Sequence, residues 1–184
     1  PAQIGNDVQA ATLSERRHGS ARGTRDMLFL SISNGIACGI VVDGRLYVGA
    51  TRNAGEFGHT IVDPAGPICY CGNYGCLESL ASPSAVLDQA LQAIRKGVQS
   101  TVASATSVNL KAINTEAVFR AADEGDRLAT NVVTRAGEYI GLGLANLVNF
   151  FNPELIVFGG EVLVHGYRTF NEAIERTFRA RVLP

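Results

Sequence analysis

Four residues of types that bind transition metals lie within one short segment of the chain. His59, Cys69, Cys71 and Cys76 follow one another with the spacing H-x9-C-x-C-x4-C. Three thiolates and one imidazole suit tetrahedral Zn²⁺, and a site closed by four protein ligands is structural rather than catalytic. The alternative is three buried cysteines and a core histidine without a metal. The spacing favours a structural zinc site in a loop within residues 55–78.

The elements that must position this loop begin with a helix and a group of strands. Helical composition from Asp7 to Arg17 is followed by a Gly-rich stretch that ends the helix. The hydrophobic pattern then predicts three strands, and Asp43-Gly44 is a hairpin signal between the last two. The predicted strands are Met27–Ser33, Cys38–Val42 and Arg45–Val48. Residues 50–76 read as a loop with one short strand near His59 to Val62.

Helices dominate the second half of the chain. Ser82-Pro83 predicts a helix start, Gly97 its end, and a polar connecting loop follows over residues 99–109. Further helices are predicted at 115–124 and from Asp126 to about Asn149, and a final helix after Gly159-Gly160. The long helix carries a stripe of small residues that would allow another backbone to approach closely: Gly137, Gly141 and Ala145.

One short apolar strand separates the last two predicted helices. Leu155 to Phe158 is wholly apolar, as in strands of sheets that are covered on both faces. The order of the predicted elements is strands first, then helices, a further strand and a last helix. This order predicts an α/β fold with a mixed sheet.

Composition and charge exclude several classes of partner. The chain has 184 residues, 46% of them hydrophobic, and a net charge of −1. Nothing in this balance would neutralise phosphates, so we expect no nucleic-acid contact by these residues themselves. The apolar stretches are strand-sized, so no membrane partner is expected. The crowding of three cysteines favours metal over disulfides and predicts a reducing, cytoplasmic compartment, while Cys38 is predicted to be a small buried hydrophobe.

A family resemblance becomes specific at the loop. Gly55-Glu56-Phe57-Gly58-His59, followed by the segment from Cys69 to Glu78, resembles the signature of the ROK family. That family groups bacterial sugar repressors with sugar kinases on an actin-like (ribonuclease-H-like) ATPase fold. The resemblance runs from Asn6-Asp7 to Gly159-Gly160. It implies that residues 1–184 form the C-terminal sugar and zinc lobe of a longer protein, and that the protein is a homo-oligomer, a dimer or tetramer.

The resemblance also implies a sugar site. The positions that match the sugar-binding residues of the family are Asn6, Asp7, Glu56, His59 and Glu78. In a kinase Asp7 would be the general base, and His59 would bind zinc through one ring nitrogen and face a sugar hydroxyl with the other. Without the resemblance, Glu56 and Glu78 would be solvated loop charges and Asp7 a helix N-cap.

The choice between kinase and sensor depends on the ATP site. By resemblance, a kinase would hold ATP and Mg²⁺ with an N-terminal phosphate loop, which lies outside these residues, and with two further turns. The first of these turns contains Ser33, Asn34 and Gly35, and the second contains Gly159 and Gly160. Side chains at Ser33, Ala37 and Cys38 stand where the kinases have glycine and would crowd the phosphates. Glu161 replaces a third glycine, and its carboxylate would repel nucleotide phosphate if it points inward.

These departures favour the sugar-sensing domain of a ROK-type transcriptional repressor. DNA would then be contacted only through a separate N-terminal domain. An ATP-dependent hexose or N-acetylhexosamine kinase is the alternative, and a zinc-stabilised interaction module without a ligand is a third possibility.

Overall fold

The fold is organised around one strand that is buried on both faces. The computed structural model of the chain describes residues 6–104 and 110–183. Strand β1 (Met27–Ile32) pairs antiparallel with β2 (Ile36–Val42), and β2 pairs antiparallel with β3 (Arg45–Leu46). On its other side β1 pairs parallel with β4 (Leu155–Gly159). The order β3-β2-β1-β4 is the mixed sheet that the sequence predicts.

Helices flank this sheet and begin where the sequence places their caps. Ser82, Asn114 and Asp126 are N-caps whose side chains accept hydrogen bonds from backbone N–H groups of the first turn. The helices are α1 (Asp7–His18), α2 (Leu77–Ala81), α3 (Pro83–Arg95), α4 (Thr101–Ser104), α5 (Thr115–Asp123), α6 (Arg127–Phe151), α7 (Glu161–Val164) and α8 (Arg168–Arg179). Two short 3₁₀ helices span Phe57–His59 and Leu110–Ala112.

The two faces of the sheet are covered unequally. Alternate residues of β1 point to opposite faces, because side chains alternate along a strand. Leu28, Leu30 and Ile32 belong to the main core with residues of α2, α3, α5, α6 and α8. Met27 and Phe29 belong to a smaller cluster that includes residues of α1. The sheet therefore has helices on both faces, as expected for an α/β fold.

Helices α6 and α8 pack closely through the predicted stripe of small residues. A Cβ on Gly137 would lie 2.8 Å from the carbonyl oxygen of Phe170, and one on Gly141 would lie 2.6 Å from that of Ile174. Neither position has room for a side chain. The prediction that these glycines let another backbone approach is confirmed.

Strand β4 is less covered than β1. It is the outer strand of the sheet formed by the described residues, its residues 155–157 are only half-buried, and Phe158 is 44% exposed. Among the described residues, the predicted coverage on both faces is therefore present at β1 and incomplete at β4.

Several boundaries also differ from the sequence prediction. The strand expected near His59 to Val62 is a 3₁₀ turn followed by one isolated bridge between Ile61 and Cys76. Strand β3 ends at Leu46, and the predicted final helix is divided into α7 and α8 around Gly166. The connecting loop expected at 99–109 contains α4, and residues 105–109 lie outside the described part. Among the described helices, none combines the length and the apolar character needed to cross a membrane.

Candidate functional site

The four predicted metal ligands converge on one point. The ligand atoms of His59, Cys69, Cys71 and Cys76 all lie within 4.8 Å of one another. Cys71 Sγ is 3.6 Å from Cys76 Sγ, and Cys69 Sγ is 3.6 Å from His59 Nδ1. Tetrahedral zinc bonds put two sulfurs about 3.8 Å apart, and a sulfur and a nitrogen about 3.6 Å apart. The donor set and its spacing therefore fit a tetrahedral metal.

The backbone of the loop supports this arrangement. The N–H of Cys69 donates to the carbonyl of Asn73 at 2.7 Å, and the N–H of Gly72 donates to the carbonyl of Cys69 at 2.9 Å. The apolar side chains of the segment are mostly outside the core: Ile61, Ile68, Tyr70 and Tyr74 are exposed. A loop with so little core of its own gains order from a metal that links its ends.

The thiols differ in their environments. The backbone N–H of Asn73 is the main cause that lowers the pKa of Cys71 to about 7. Burial raises the pKa of Cys76 to about 12, and its thiol donates to the carbonyl of His59 at 3.7 Å. Because metals bind the thiolate, coordination by Cys76 at neutral pH requires the loss of its proton.

Glu78 joins the metal loop to the turn between β1 and β2. It lies in the first turn of α2, and its Oε2 accepts a hydrogen bond from the backbone N–H of Ile36 at 2.8 Å. A Cβ on Gly35 would lie 2.6 Å from the same oxygen, so only glycine allows this approach. Glu78 is therefore a half-buried, positioned carboxylate and not a freely solvated loop charge.

The hydroxyl of Tyr70 lies close to two of the predicted sugar residues, His59 and Glu78. It lies 2.9 Å from His59 Nε2. The pKa of Tyr70 is raised above its usual value, first by the negative charge of Glu78, and Glu56 contributes in the same direction. The Tyr70 hydroxyl thus contacts His59, and Glu78 and Glu56 add negative charge near it. Sequence reasoning did not identify Tyr70, although its place between Cys69 and Cys71 fixes its backbone beside the metal ligands.

Asn6 and Asp7 lie at the start of α1. Asn6 is the N-cap of this helix and accepts from the N–H of Gln9 at 3.0 Å, so the cap is Asn6 rather than Asp7. Asp7 accepts from the N–H of Val8 at 2.9 Å, and both side chains are exposed. Within residues 6–104 and 110–183, the hydrogen bonds of these two side chains are local, and none reaches the group around Tyr70.

The two turns proposed for ATP lie at the same end of the sheet, because β1 and β4 are parallel neighbours. A cavity of about 250 Å³ adjoins them and is lined by Ser33, Asn34, Pro83, Asn114, Thr115, Glu116, Glu161, Val162, His165 and Tyr167. Glu161 thus faces the cavity, as the repulsion argument requires. Among the described residues that line it, two carboxylates, one histidine and Tyr167 are ionisable, and neither Lys nor Arg is present.

Cys38 corrects part of the crowding argument. Its side chain is 3% exposed and packs in the main core, and it is not among the residues that line this cavity. Burial raises the pKa of its thiol to about 12. Cys38 therefore does not crowd a phosphate, and the prediction that it is a small buried hydrophobe is confirmed.

A larger cavity lies beside the metal loop. It has a volume of about 590 Å³ and extends from Asn34, Tyr70 and Glu78 towards α3, where Asp88 and Gln89 line it. Asn34 lines this cavity and the smaller one. The β1–β2 turn thus stands between two depressions, which the sequence prediction assigns to the sugar side and the nucleotide side.

Comparison with known proteins identifies the family. The family model of the ROK family matches residues 1–183 of the chain. The chain belongs to the ROK family. Its similarity to solved ROK kinase structures shows an actin-like (ribonuclease-H-like) ATPase fold with a mixed sheet and flanking helices.

Individual ROK proteins of both functional classes are similar to this chain. The DNA-binding transcriptional dual regulator NagC of Escherichia coli K12 is 34% identical over 86% of this chain and 38% of NagC. A solved ROK family transcriptional regulator, a homologue of E. coli Mlc, is 38% identical with a TM-score of 0.86, over 98% of this chain and 44% of that one. The ROK hexokinase from Thermus thermophilus is 36% identical with a TM-score of 0.83, over 96% of this chain and 56% of that one. The chain thus spans less than two-thirds of each of these proteins.

Proposed function

We propose that this ROK chain is the sugar-binding, inducer-sensing part of a transcriptional repressor that controls carbohydrate metabolism. The observation that carries this proposal is the contrast between its two depressions. His59 and Glu78 lie beside one hydroxyl position and Glu56 adds negative charge near it, whereas the described residues that line the nucleotide-side cavity include Glu116 and Glu161 and neither Lys nor Arg. Carboxylates oppose the binding of phosphate groups unless a cation neutralises them.

The sugar site we propose consists of these three residues together with Asn6 and Asp7 at the start of α1. Carboxylates accept hydrogen bonds from sugar hydroxyls, and the amide of Asn6 can both donate and accept. His59 would bind structural Zn²⁺ through Nδ1, which faces Cys69, while Nε2 faces the sugar position. Orientation of the imidazole by the metal would thus set the direction of its second N–H.

A thermal-shift titration of the full-length protein tests sugar binding. Glucose, mannose, xylose, N-acetylglucosamine and N-acetylmannosamine are added separately, and a sugar at 100 times its Kd stabilises the folded state by about 2.7 kcal/mol. The exposed Glu56→Gln variant should keep the melting temperature of the sugar-free protein and lose the shift. Release of operator DNA by the same sugar then tests the repressor role. Shifts absent with every sugar would contradict sugar binding and leave a zinc-stabilised interaction module.

A sugar kinase is the second candidate, favoured by the adjacency of the two turns. Ser33, Asn34 and Gly35 lie beside Gly159 and Gly160, where a kinase would hold ATP and Mg²⁺. Asp7, exposed at the start of α1, would remove the proton of the attacking sugar hydroxyl. An ATP-dependent phosphorylation assay on the full-length protein separates the candidates. Turnover of several per second that is lost in Asp7→Asn would establish the kinase and refute a purely sensory role.

The remaining partners follow from the same proposal. We propose that residues 1–184 are the C-terminal lobe of a longer protein that forms a dimer or tetramer and contacts DNA only through an N-terminal domain. A reducing cytoplasm would keep Cys69, Cys71 and Cys76 available for zinc. Size-exclusion chromatography with light scattering measures the oligomeric state. Elemental analysis of the purified protein measures its zinc content, and we expect one zinc per chain.

A further inference from the structure

We propose that the side chain of Tyr70 occupies the position of a sugar hydroxyl between His59 and Glu78, and that a bound sugar displaces it. This inference rests on the proposed sugar site and assigns Tyr70 a role there as a competing, specificity-determining side chain. Its hydroxyl lies 2.9 Å from His59 Nε2, and Tyr70 and Glu78 line the same cavity.

The hydrogen-bonding pattern of the phenol matches that of a sugar hydroxyl. Because His59 Nδ1 faces Cys69 Sγ at 3.6 Å, the neutral imidazole that binds a metal there carries its proton on Nε2. Nε2–H then donates to the Tyr70 oxygen, and the phenolic O–H is free to donate towards Glu78. A sugar hydroxyl likewise accepts one hydrogen bond and donates another. Both groups therefore compete for one donor and one acceptor.

The tyrosine side chain can leave this position without disturbing the core. Tyr70 is 84% exposed, and its ring contacts the ring of His59 edge-on at a centroid distance of 5.1 Å. Its backbone lies between Cys69 and Cys71, so the metal ligands would hold the main chain while the side chain turns. Tyr70 and Glu78 also line the cavity of about 590 Å³, which gives the displaced ring space to occupy.

The competition predicts a gain of affinity when the hydroxyl alone is removed. Tyr70→Phe keeps the ring and removes the group that the sugar must displace. A net hydrogen bond is worth about 1 kcal/mol, so the Kd of the sugar identified in the thermal-shift panel should fall about fivefold. The matched control is Tyr74→Phe, which removes the hydroxyl of another exposed tyrosine of the same loop and should leave the Kd unchanged.

Calorimetric titration of the zinc-loaded full-length wild type and both variants measures these Kd values, with zinc content checked in each. ¹⁹F NMR of protein labelled with 3-fluorotyrosine provides a second readout. The resonance that is absent from the spectrum of Tyr70→Phe belongs to Tyr70, and its chemical shift should change when sugar is added. An unchanged or higher Kd in Tyr70→Phe, or a Tyr70 resonance that does not respond to bound sugar, overturns the inference and leaves the sugar site intact. Absence of sugar binding to the wild type overturns the proposed function and this inference with it.

Discussion

The hydrogen bond between Glu78 and Ile36 allows the structural and binding roles of one carboxylate to be separated. Ile36 is 3% exposed, and its N–H donates to Glu78 Oε2 at 2.8 Å. Glu78→Ala removes the acceptor and leaves a buried N–H without a partner, which costs about 1–3 kcal/mol. For a chain of this length each kcal/mol lowers Tm by about 2–4 °C, so a central cost of about 2 kcal/mol lowers Tm by about 4–8 °C.

Glu78→Gln separates the two roles. Its amide oxygen still accepts from the N–H of Ile36, so we expect Tm to stay within about 3 °C of the wild type. The lost charge weakens hydrogen bonds from sugar hydroxyls, and we expect sugar affinity to fall by about tenfold or more, since hydrogen bonds to charged groups are worth about 1.5–3 kcal/mol.

Differential scanning calorimetry and sugar titration measure both quantities on the same samples. Glu138→Ala is the control, because Glu138 is an exposed carboxylate that pairs with Arg176 at 3.2 Å and should contribute less than about 1 kcal/mol. Equal Tm values for Glu78→Ala and the wild type would refute the structural role. Wild-type sugar affinity in Glu78→Gln would refute its place in the sugar site.

Three further predictions concern packing, metal and pH. Gly141→Ala should destabilise the chain by about 1–3 kcal/mol in thermal unfolding, because its Cβ would lie 2.6 Å from the carbonyl oxygen of Ile174; unchanged stability would contradict the close packing of α6 on α8. Strong chelation should raise amide hydrogen exchange in residues 60–76 and spare α6; unchanged exchange there would contradict an ordering role for zinc. Asp126 is partly buried, which raises its pKa, but hydrogen bonds led by the one from the Ala129 N–H lower the pKa overall. The stabilisation from this carboxylate is therefore present above the unfolded pKa of about 3.9 and disappears as pH falls through the lower folded pKa. The free energy of unfolding of Asp126→Ala should therefore fall less than that of the wild type as the pH is lowered below about 5. Equal falls in the two proteins would refute this.

Local patterns explain why much of the architecture and the metal site can be predicted from sequence. The ligands from His59 to Cys76 lie within 18 residues, so their spacing alone restricts them to one loop. Helix starts at Ser82 and Asp126 depend on a side chain and a backbone N–H three residues later, which is also a local relation.

Non-local geometry explains what the sequence did not predict. The inward direction of Cys38 depends on the face that β2 presents to the core. Tyr70 was missed because an exposed tyrosine in a loop is ordinary until its hydroxyl is found beside His59. The proposed role of Tyr70 can be inferred only from the folded position of its side chain.

The contact between Glu78 and the β1–β2 turn also constrains how such a protein can change its specificity. The acceptor, Glu78, lies in the first turn of α2 and lines the larger cavity, and the donor, Ile36, follows directly after Asn34 and Gly35, of which Asn34 lines the smaller cavity. Substitutions that reshape the turn would therefore shift the carboxylate that we propose for sugar binding. A laboratory selection for a new sugar would therefore have to vary the β1–β2 turn and the segment around Glu78 together. If only one of them were varied, the unchanged segment would hold the hydrogen bond in its present position.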